Sequence, residues 1–135
     1  NFRIFGCFGK YENETRFISK SINRSLIGSP ISITQNRLMD FIYVEDLCKL
    51  IEHYLNNFID KDLYRDVNVC YNKKYDLKGI SKKILSSMEL PIDNNIQYEK
   101  KGFFRAYTGD SKRFDSFNLD LVGLSNGIKK VINER

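Results

Sequence analysis

The pattern of hydrophobic and polar positions changes its period near Glu45, and this change organises the chain. Residues 39–44 are mostly β-branched or aromatic, which predicts a short buried strand. From Asp46 onwards the apolar residues recur at the spacing of one helical face: Leu47, Leu50, Ile51, Tyr54, Leu55 and Phe58. Carboxylates such as Glu45 and Asp46 are favoured at a helix start by unpaired N–H groups and the helix dipole. A strand that runs directly into a helix is typical of α/β proteins.

The remaining segments follow the same two periods. Strands are predicted at residues 2–8, 31–34, 66–71 and 96–99. Helices are predicted at about residues 16–27, 77–88 and 125–133, with a capped helical turn at 110–114. Gly28 and Pro30 end the first helix, because glycine suits the C′ position and proline cannot continue a helix. Loops are expected at residues 10–15, 56–65 and 101–109.

Length and composition describe one globular domain. The chain has 135 residues, of which 41% are hydrophobic and 29% charged, which is enough to bury a core. No apolar run approaches the roughly eighteen residues of a membrane span, so no membrane partner is expected. No charged-then-apolar leader suggests secretion. The chain begins at Asn1 and enters an apolar strand at once, which favours a piece of a longer polypeptide.

Cysteines and charge exclude several kinds of site. Cys7, Cys48 and Cys70 are widely spaced and odd in number, which fits neither a disulfide framework nor a zinc site. All three lie in apolar stretches, so buried thiols in a reducing cytoplasm are expected. The single His53 has no second histidine at metal-binding spacing, so no metal is expected. The net charge of +5 comes from scattered basic pairs, which disfavours a nucleic-acid partner and suits a small anion such as a diphosphate.

The chain has no self-sufficient catalytic motif. It lacks a Ser/His/Asp set and a helical tyrosine followed four residues later by lysine. Gly6 and Gly9 lead into a loop rather than into the helix start that a glycine-rich phosphate loop requires. We therefore expect the chain alone to be inactive and to hold no cofactor by itself.

Several short motifs nevertheless occur in a specific order. They are RIFGCFG at residues 3–9, GSPISI at 28–33, DFIYVED at 40–46, VNV at 67–69, DSKR at 110–113 and GIKKVI at 127–132. This order resembles the C-terminal half of the NAD-dependent epimerase/dehydratase family, the extended short-chain dehydrogenases/reductases that act on nucleotide sugars. The junction at 40–46 is the most specific of these motifs, and the resemblance covers nearly the whole chain.

The resemblance implies an α/β fold in which late Rossmann strands join a small α/β substrate-binding domain. Residues 1–135 would form one C-terminal domain of a longer enzyme. The missing N-terminal half would hold the cofactor, NAD or NADP, and the catalytic Tyr-x-x-x-Lys. The parent would be a cytoplasmic epimerase, dehydratase or reductase of a nucleotide sugar, and family membership implies a homodimer.

The family's substrate contacts imply six binding residues on this chain, with no catalytic residue and no metal ligand. They are Arg16, Phe17, Ser32, Ile33, Arg37 and Arg105. The family often has an arginine that binds a phosphate at the position where this sequence has Met39. Arg37 is expected to replace it, because residues two apart on a strand share a face. Arg105 would supply a late phosphate contact. The alternatives are a solvated surface charge for Arg16 and plain core for Phe17 and Ile33.

Two family contacts are lost in this sequence. Gly6 and Phe8 stand where the family has an asparagine and a tyrosine. These losses leave open a non-catalytic sugar-nucleotide-binding or regulatory module that keeps the half-fold without the chemistry. A small basic nucleic-acid-binding domain is a further, less favoured alternative. Asp40 and Asp46 are expected to be structural, through caps and turn hydrogen bonds.

Overall fold

Short parallel strands connected by helices form the fold. The computed structural model describes residues 1–59 and 63–135. Within them the strands are β1 (Phe2–Ile4), β2 (Cys7–Phe8), β3 (Ile31–Ile33), β4 (Ile42–Tyr43), β5 (Val67–Val69) and β6 (Ile96–Tyr98). The helices are α1 (Phe17–Leu26), α2 (Val44–Asn56), α3 (Leu77–Ser87), α4 (Lys112–Asp115) and α5 (Gly123–Asn133). None of these helices has the length and hydropathy of a membrane span.

The strands pair in parallel as β1 with β5, β2 with β4 and β3 with β6. Parallel neighbours need a crossover connection, and the connection between β2 and β4 includes helix α1. This arrangement confirms the predicted α/β class.

The strand predicted at residues 2–8 is wrong as one continuous element, because the chain changes pairing partner at Gly6. β1 lies beside β5, whereas β2 lies beside β4. At the break, the Ile42 N–H donates to the Gly6 carbonyl at 2.9 Å. A Cβ atom on residue 6 would lie 2.8 Å from the Phe41 ring and 3.0 Å from the Asp40 carbonyl oxygen. The lack of a side chain therefore allows the close backbone approach at which the strand divides.

Two groups of buried side chains form the core. The first core lies among α1, β3, α3 and α5 and includes Ile18, Ile31, Ile80, Ile84 and Ile128. The second core lies between the β1–β5 pair and helices α2 and α4, and it consists of Ile42, Leu50, Val67, Val69 and Phe114. The ring of Tyr71 packs against both cores.

Asp46 joins elements that are far apart in sequence. Its side chain is fully buried and accepts hydrogen bonds from the N–H groups of Val122 at 2.7 Å and Gly123 at 2.8 Å. The Tyr71 hydroxyl also donates to it, at 2.5 Å. Asp46 is structural, but it caps the start of α5 rather than that of its own helix.

The predicted apolar face of α2 is only partly buried. Leu50 is fully buried, whereas Ile51, Leu55 and Phe58 are 40%, 67% and 76% exposed. The helix starts at Val44 rather than at Asp46, and α5 starts at Gly123 rather than at residue 125. The loop predicted at 56–65 begins after α2 ends at Asn56, and its residues 60–62 lie outside the described residues.

The cysteines differ in their environments. Cys70 is buried and Cys7 is half-buried, and burial raises the pKa of both thiols. Both are therefore poor nucleophiles at neutral pH. The expectation that Cys48 is buried is wrong, because this residue lies on the exposed side of α2.

Candidate functional site

A cavity of about 520 Å³ lies beside α1, β3 and the segment that follows β3. We call it the Arg37 cavity. It is lined by Thr15, Phe17, Lys20, Ser32, Thr34, Gln35, Arg37, Met39, Leu77 and Tyr107. Its walls thus combine apolar side chains with two cations and several hydroxyl and amide groups.

The segment at residues 36–39 forms one wall and is fixed from both sides. On one side, the Leu77 N–H donates to the Arg37 carbonyl at 3.1 Å. On the other side, the Tyr107 N–H donates to the Leu38 carbonyl at 2.8 Å. The backbone is therefore extended here, and Arg37 and Met39 both face the cavity, as alternation along a strand predicts.

Asp40 fixes the end of this wall. Its carboxylate is buried and accepts bonds from the Lys74 ammonium at 2.9 and 3.0 Å and from the Gly109 N–H at 2.9 Å. These bonds tie the wall to the segment that contains Tyr107. A buried charge with this set of partners is structural rather than a ligand-binding group.

Arg37 is the main charged group of the cavity. Its guanidinium contacts the Gln35 side-chain oxygen, and no carboxylate pairs with it among the described residues. Lys20 is a second cation on the lining. A partly buried arginine with free donors matches the planar oxygens of a phosphate or carboxylate.

The opposite end of the cavity presents hydroxyl groups. The Ser32 hydroxyl donates to the Glu99 carboxylate at 2.8 Å. This bond, with a second one from Thr34, lowers the pKa of Glu99. Because both hydroxyls donate to Glu99, their remaining lone pairs can accept bonds from a ligand.

The apolar wall is partly aromatic. The Phe17 ring stacks on Phe41 with centroids 6.1 Å apart, and the Tyr107 ring packs edge-on against Phe5 at 5.3 Å. Met39 and Leu77 complete this wall. The cavity therefore suits a ligand with a flat apolar part and an anionic part. No group of acidic, histidine or cysteine side chains suited to a metal ion occurs in residues 1–59 and 63–135.

Sequence comparison decides the family. The sequence model described as the NAD dependent epimerase/dehydratase family matches residues 1–70, more than half of the chain. The chain belongs to this family. No curated protein is significantly similar to this family member in sequence.

Solved structures of family enzymes share its fold. A dTDP-glucose 4,6-dehydratase from Bacillus anthracis has a TM-score of 0.75 at 16% identity, over 98% of this chain and 43% of its own. A UDP-N-acetylglucosamine 4-epimerase from Methanobrevibacter ruminantium has a TM-score of 0.71 at 21% identity, and the match covers 98% of this chain and 44% of the epimerase. A UDP-glucuronic acid 4-epimerase from Bacillus cereus has a TM-score of 0.70 at 19% identity, and the match covers 98% of this chain and 42% of that epimerase. The epimerase/dehydratase chain thus has the predicted fold of an extended short-chain dehydrogenase and spans less than half of these structures.

The structure places the six predicted residues differently. Phe17, Ser32 and Arg37 line one cavity. The Arg16 guanidinium lies 3.9 Å from the Glu12 carboxylate instead, and Ile33 is buried in the first core. Arg105 is exposed and lies outside the lining.

Sequence reasoning missed seven lining residues: Thr15, Lys20, Thr34, Gln35, Met39, Leu77 and Tyr107. For two of them, the spacing along the sequence could have predicted a position on the lining. Lys20 follows Phe17 by three positions and so shares its helical face, and Thr34 follows Ser32 by two positions on a strand. Tyr107 had no such spacing, because its position depends on the isolated pairing of Met39 with residue 107.

The B. anthracis dehydratase is described in complex with NAD. At the ends of β1 and β5, this chain offers Gly6, whose carbonyl accepts a hydrogen bond from the Ile42 N–H, and the buried Cys70, whose thiol donates to the Gly109 carbonyl at 3.4 Å. Both groups are thus engaged by hydrogen bonds within the chain.

Proposed function

We propose that the Arg37 cavity binds the nucleotide diphosphate part of a nucleotide sugar. The chain would be the substrate-binding part of an NAD(P)-dependent epimerase, dehydratase or reductase. The main support is that Arg37, which pairs with no carboxylate of residues 1–59 and 63–135, lies beside aromatic and apolar walls in one cavity. Similar structures described as acting on dTDP- and UDP-sugars add support at the level of the fold.

Each part of the cavity has a role in this proposal. Arg37 and Lys20 pair with the diphosphate, and Arg105 approaches it from the segment that contains Tyr107. Phe17, Met39 and Leu77 contact the faces of the base. The Ser32 and Thr34 hydroxyls accept hydrogen bonds from the base or the ribose. Arg16 and Ile33 support this wall from outside the cavity.

The same proposal places the rest of the chemistry elsewhere in a longer polypeptide. An N-terminal half would bind NAD or NADP and supply the acid/base tyrosine, so residues 1–135 form a single substrate-binding domain. The cofactor performs the hydride transfer, and this chain holds and orients the sugar. The whole enzyme would be a cytoplasmic homodimer.

Binding of nucleotide sugars to the chain tests the proposal. We expect at least one of UDP-glucose, dTDP-glucose and GDP-mannose to raise the melting temperature progressively as its concentration increases, because a ligand that binds only the folded state stabilises it. Arg37→Gln should weaken binding by roughly 10- to 100-fold, since a charge-assisted hydrogen bond contributes about 1.5–3 kcal/mol.

The matched control is Arg65→Gln. Arg65 is exposed and does not line the Arg37 cavity, so this variant should bind as the unchanged chain does. A chain that none of the three nucleotide sugars stabilises contradicts the proposal. Equal losses in both variants would assign the effect to net charge rather than to the cavity.

A non-catalytic module remains the second candidate, and the Gly6 position favours it. The family's asparagine is absent there, and the Phe41 ring lies where its Cβ atom would be. Such a module binds nucleotide sugars but does not turn them over with NAD. Sugar-nucleotide products and reduced nicotinamide, measured on the full-length parent, distinguish the two functions.

A further inference from the structure

A second cavity, of about 420 Å³, lies beside the loop that follows β2. We call it the Glu12 cavity. The loop after β2, the start of α2 and the C-terminal turn line it, through Cys7, Phe8, Gly9, Lys10, Tyr11, Glu12, Tyr43, Val44, Glu45 and Glu134. It shares no residue with the Arg37 cavity.

Glu12 is the unusual residue of this lining. Its side chain is only 6% exposed. One carboxylate oxygen, Oε2, accepts from the Ser19 N–H at 3.2 Å, whereas the other, Oε1, is buried without a hydrogen-bond partner among the described residues. Buried carboxylate oxygens without a partner are rare, since each costs the desolvation of a charged acceptor.

The groups that face Glu12 do not satisfy this oxygen. The Arg16 Nε atom lies 3.9 Å from Oε1, beyond hydrogen-bond distance, on a side chain that is 57% exposed. Arg135 is further away and bonds to Ser19 and Asn23 instead. Burial dominates over both cations and raises the pKa of Glu12 to about 7. Cys7, on β2, is also a titratable neighbour of Glu12, and its thiol has a raised pKa.

The rest of the cavity is acidic and aromatic. The lining has three carboxylates, Glu12, Glu45 and Glu134, and one cation, Lys10, whereas the whole chain has a net charge of +5. Glu45 is held by the Tyr43 hydroxyl at 2.9 Å and by Lys130 at 2.7 Å. The Phe8 and Tyr43 rings lie 5.4 Å apart and form an apolar wall. Carboxylates beside aromatic faces attract cations that have an apolar part.

We propose that the Glu12 cavity binds a guanidinium or ammonium group on an apolar stem, with Glu12 Oε1 accepting the charged donor. The stem would lie against Phe8, Tyr43 and Val44. A free alkyl cation and an arginine or lysine side chain of a polypeptide share this chemistry. The proposal is independent of nucleotide-sugar binding, because the two cavities have separate linings.

Butylguanidinium is the probe, measured by two-dimensional amide NMR and calorimetry on the whole chain at about pH 8, where Glu12 is ionised. We expect saturable shifts confined to residues 7–12, 43–45 and 134. Glu12→Gln should weaken binding by at least about tenfold, because the amide removes the charge and retains the shape. Glu14→Gln is the matched control, since Glu14 lies on the same loop, is exposed and does not line the cavity.

Two further ligands identify the source of the cation. Butanol, which has the stem without the charge, should bind at least about tenfold more weakly than butylguanidinium. N-acetyl-arginine amide should bind as well as butylguanidinium if a polypeptide side chain is the natural occupant. Binding of butylguanidinium without binding of this amide indicates a free small cation.

Four results would overturn the proposal. Butylguanidinium could fail to bind, or butanol could bind as tightly, which would leave only an apolar pocket. Glu14→Gln could lose as much affinity as Glu12→Gln, which would indicate a general charge effect. Arg16→Gln could abolish binding, whereas removing a competitor for Oε1 should leave it unchanged or strengthen it.

Discussion

Glu12 shows how one residue can make stability depend on pH. Its pKa is raised from 4.5 to about 7, mainly by burial, so between these values the folded chain binds more protons at this site than the unfolded chain does. The unfolding free energy must therefore fall as pH rises through this window. Below this pH window, Glu12 is protonated in both the folded and the unfolded chain, so it does not make the unfolding free energy depend on pH.

We predict that Glu12→Gln removes this pH dependence. At pH 8 the variant should be more stable than the unchanged chain by up to about 3 kcal/mol, and near pH 4 the two should be nearly equal. Urea unfolding at several pH values measures this difference. The control Glu14→Gln should keep the slope of the unchanged chain, and a slope that persists in Glu12→Gln would assign it to another group.

Local patterns at the residue scale predicted some contacts and not others. The shared face of Arg37 and Met39 followed from strand alternation, because that geometry depends only on the backbone. The role of Asp46 did not follow, since its partners at Val122 and Gly123 are about 76 residues away in sequence. The unpartnered oxygen of Glu12 likewise depends on how the loop after β2 folds over α1.

At the scale of elements, the sequence predicted which segments are helices and strands better than where they pair. The helices at α1, α3 and α5 were found because each has a clear apolar stripe that packs into the first core. Ile51 and Leu55 belong to the predicted apolar face of α2, but both are exposed. Periodicity identifies an apolar face, whereas its burial depends on which elements lie nearby.

The division of β1 from β2 leads to a prediction at this scale. Gly6→Ala should destabilise the chain by roughly 1–3 kcal/mol, because the new methyl group would overlap the Phe41 ring. Denaturant unfolding measures the loss. In the background of Phe41→Leu, the same substitution should cost less, and a double-mutant cycle gives the difference. Equal costs in both backgrounds would mean that the Phe41 contact is not the reason.

At the scale of the whole molecule, the Arg37 cavity is assembled from distant segments. Its lining comes from α1, β3, the segment that includes Arg37, the start of α3 and the segment that includes Tyr107. The family resemblance predicted three of these residues, because the family's contact positions are fixed by the fold. Lys20 and Thr34 could have been predicted from their spacing, whereas Tyr107 required the pairing of its segment with Met39, which no local sequence pattern encodes.

The hydrogen bonds of Asp46 connect the two cores, because α2 belongs to one, α5 to the other, and Tyr71 touches both. These hydrogen bonds should make the two cores unfold together, so we expect a single transition when the protein is heated in a calorimeter.

Asp46→Ala should lower the unfolding free energy by roughly 2–4 kcal/mol and split the endotherm into two. Asp93→Ala, at an exposed site, is the comparison. A single sharp endotherm in Asp46→Ala would show that the cores melt together for another reason.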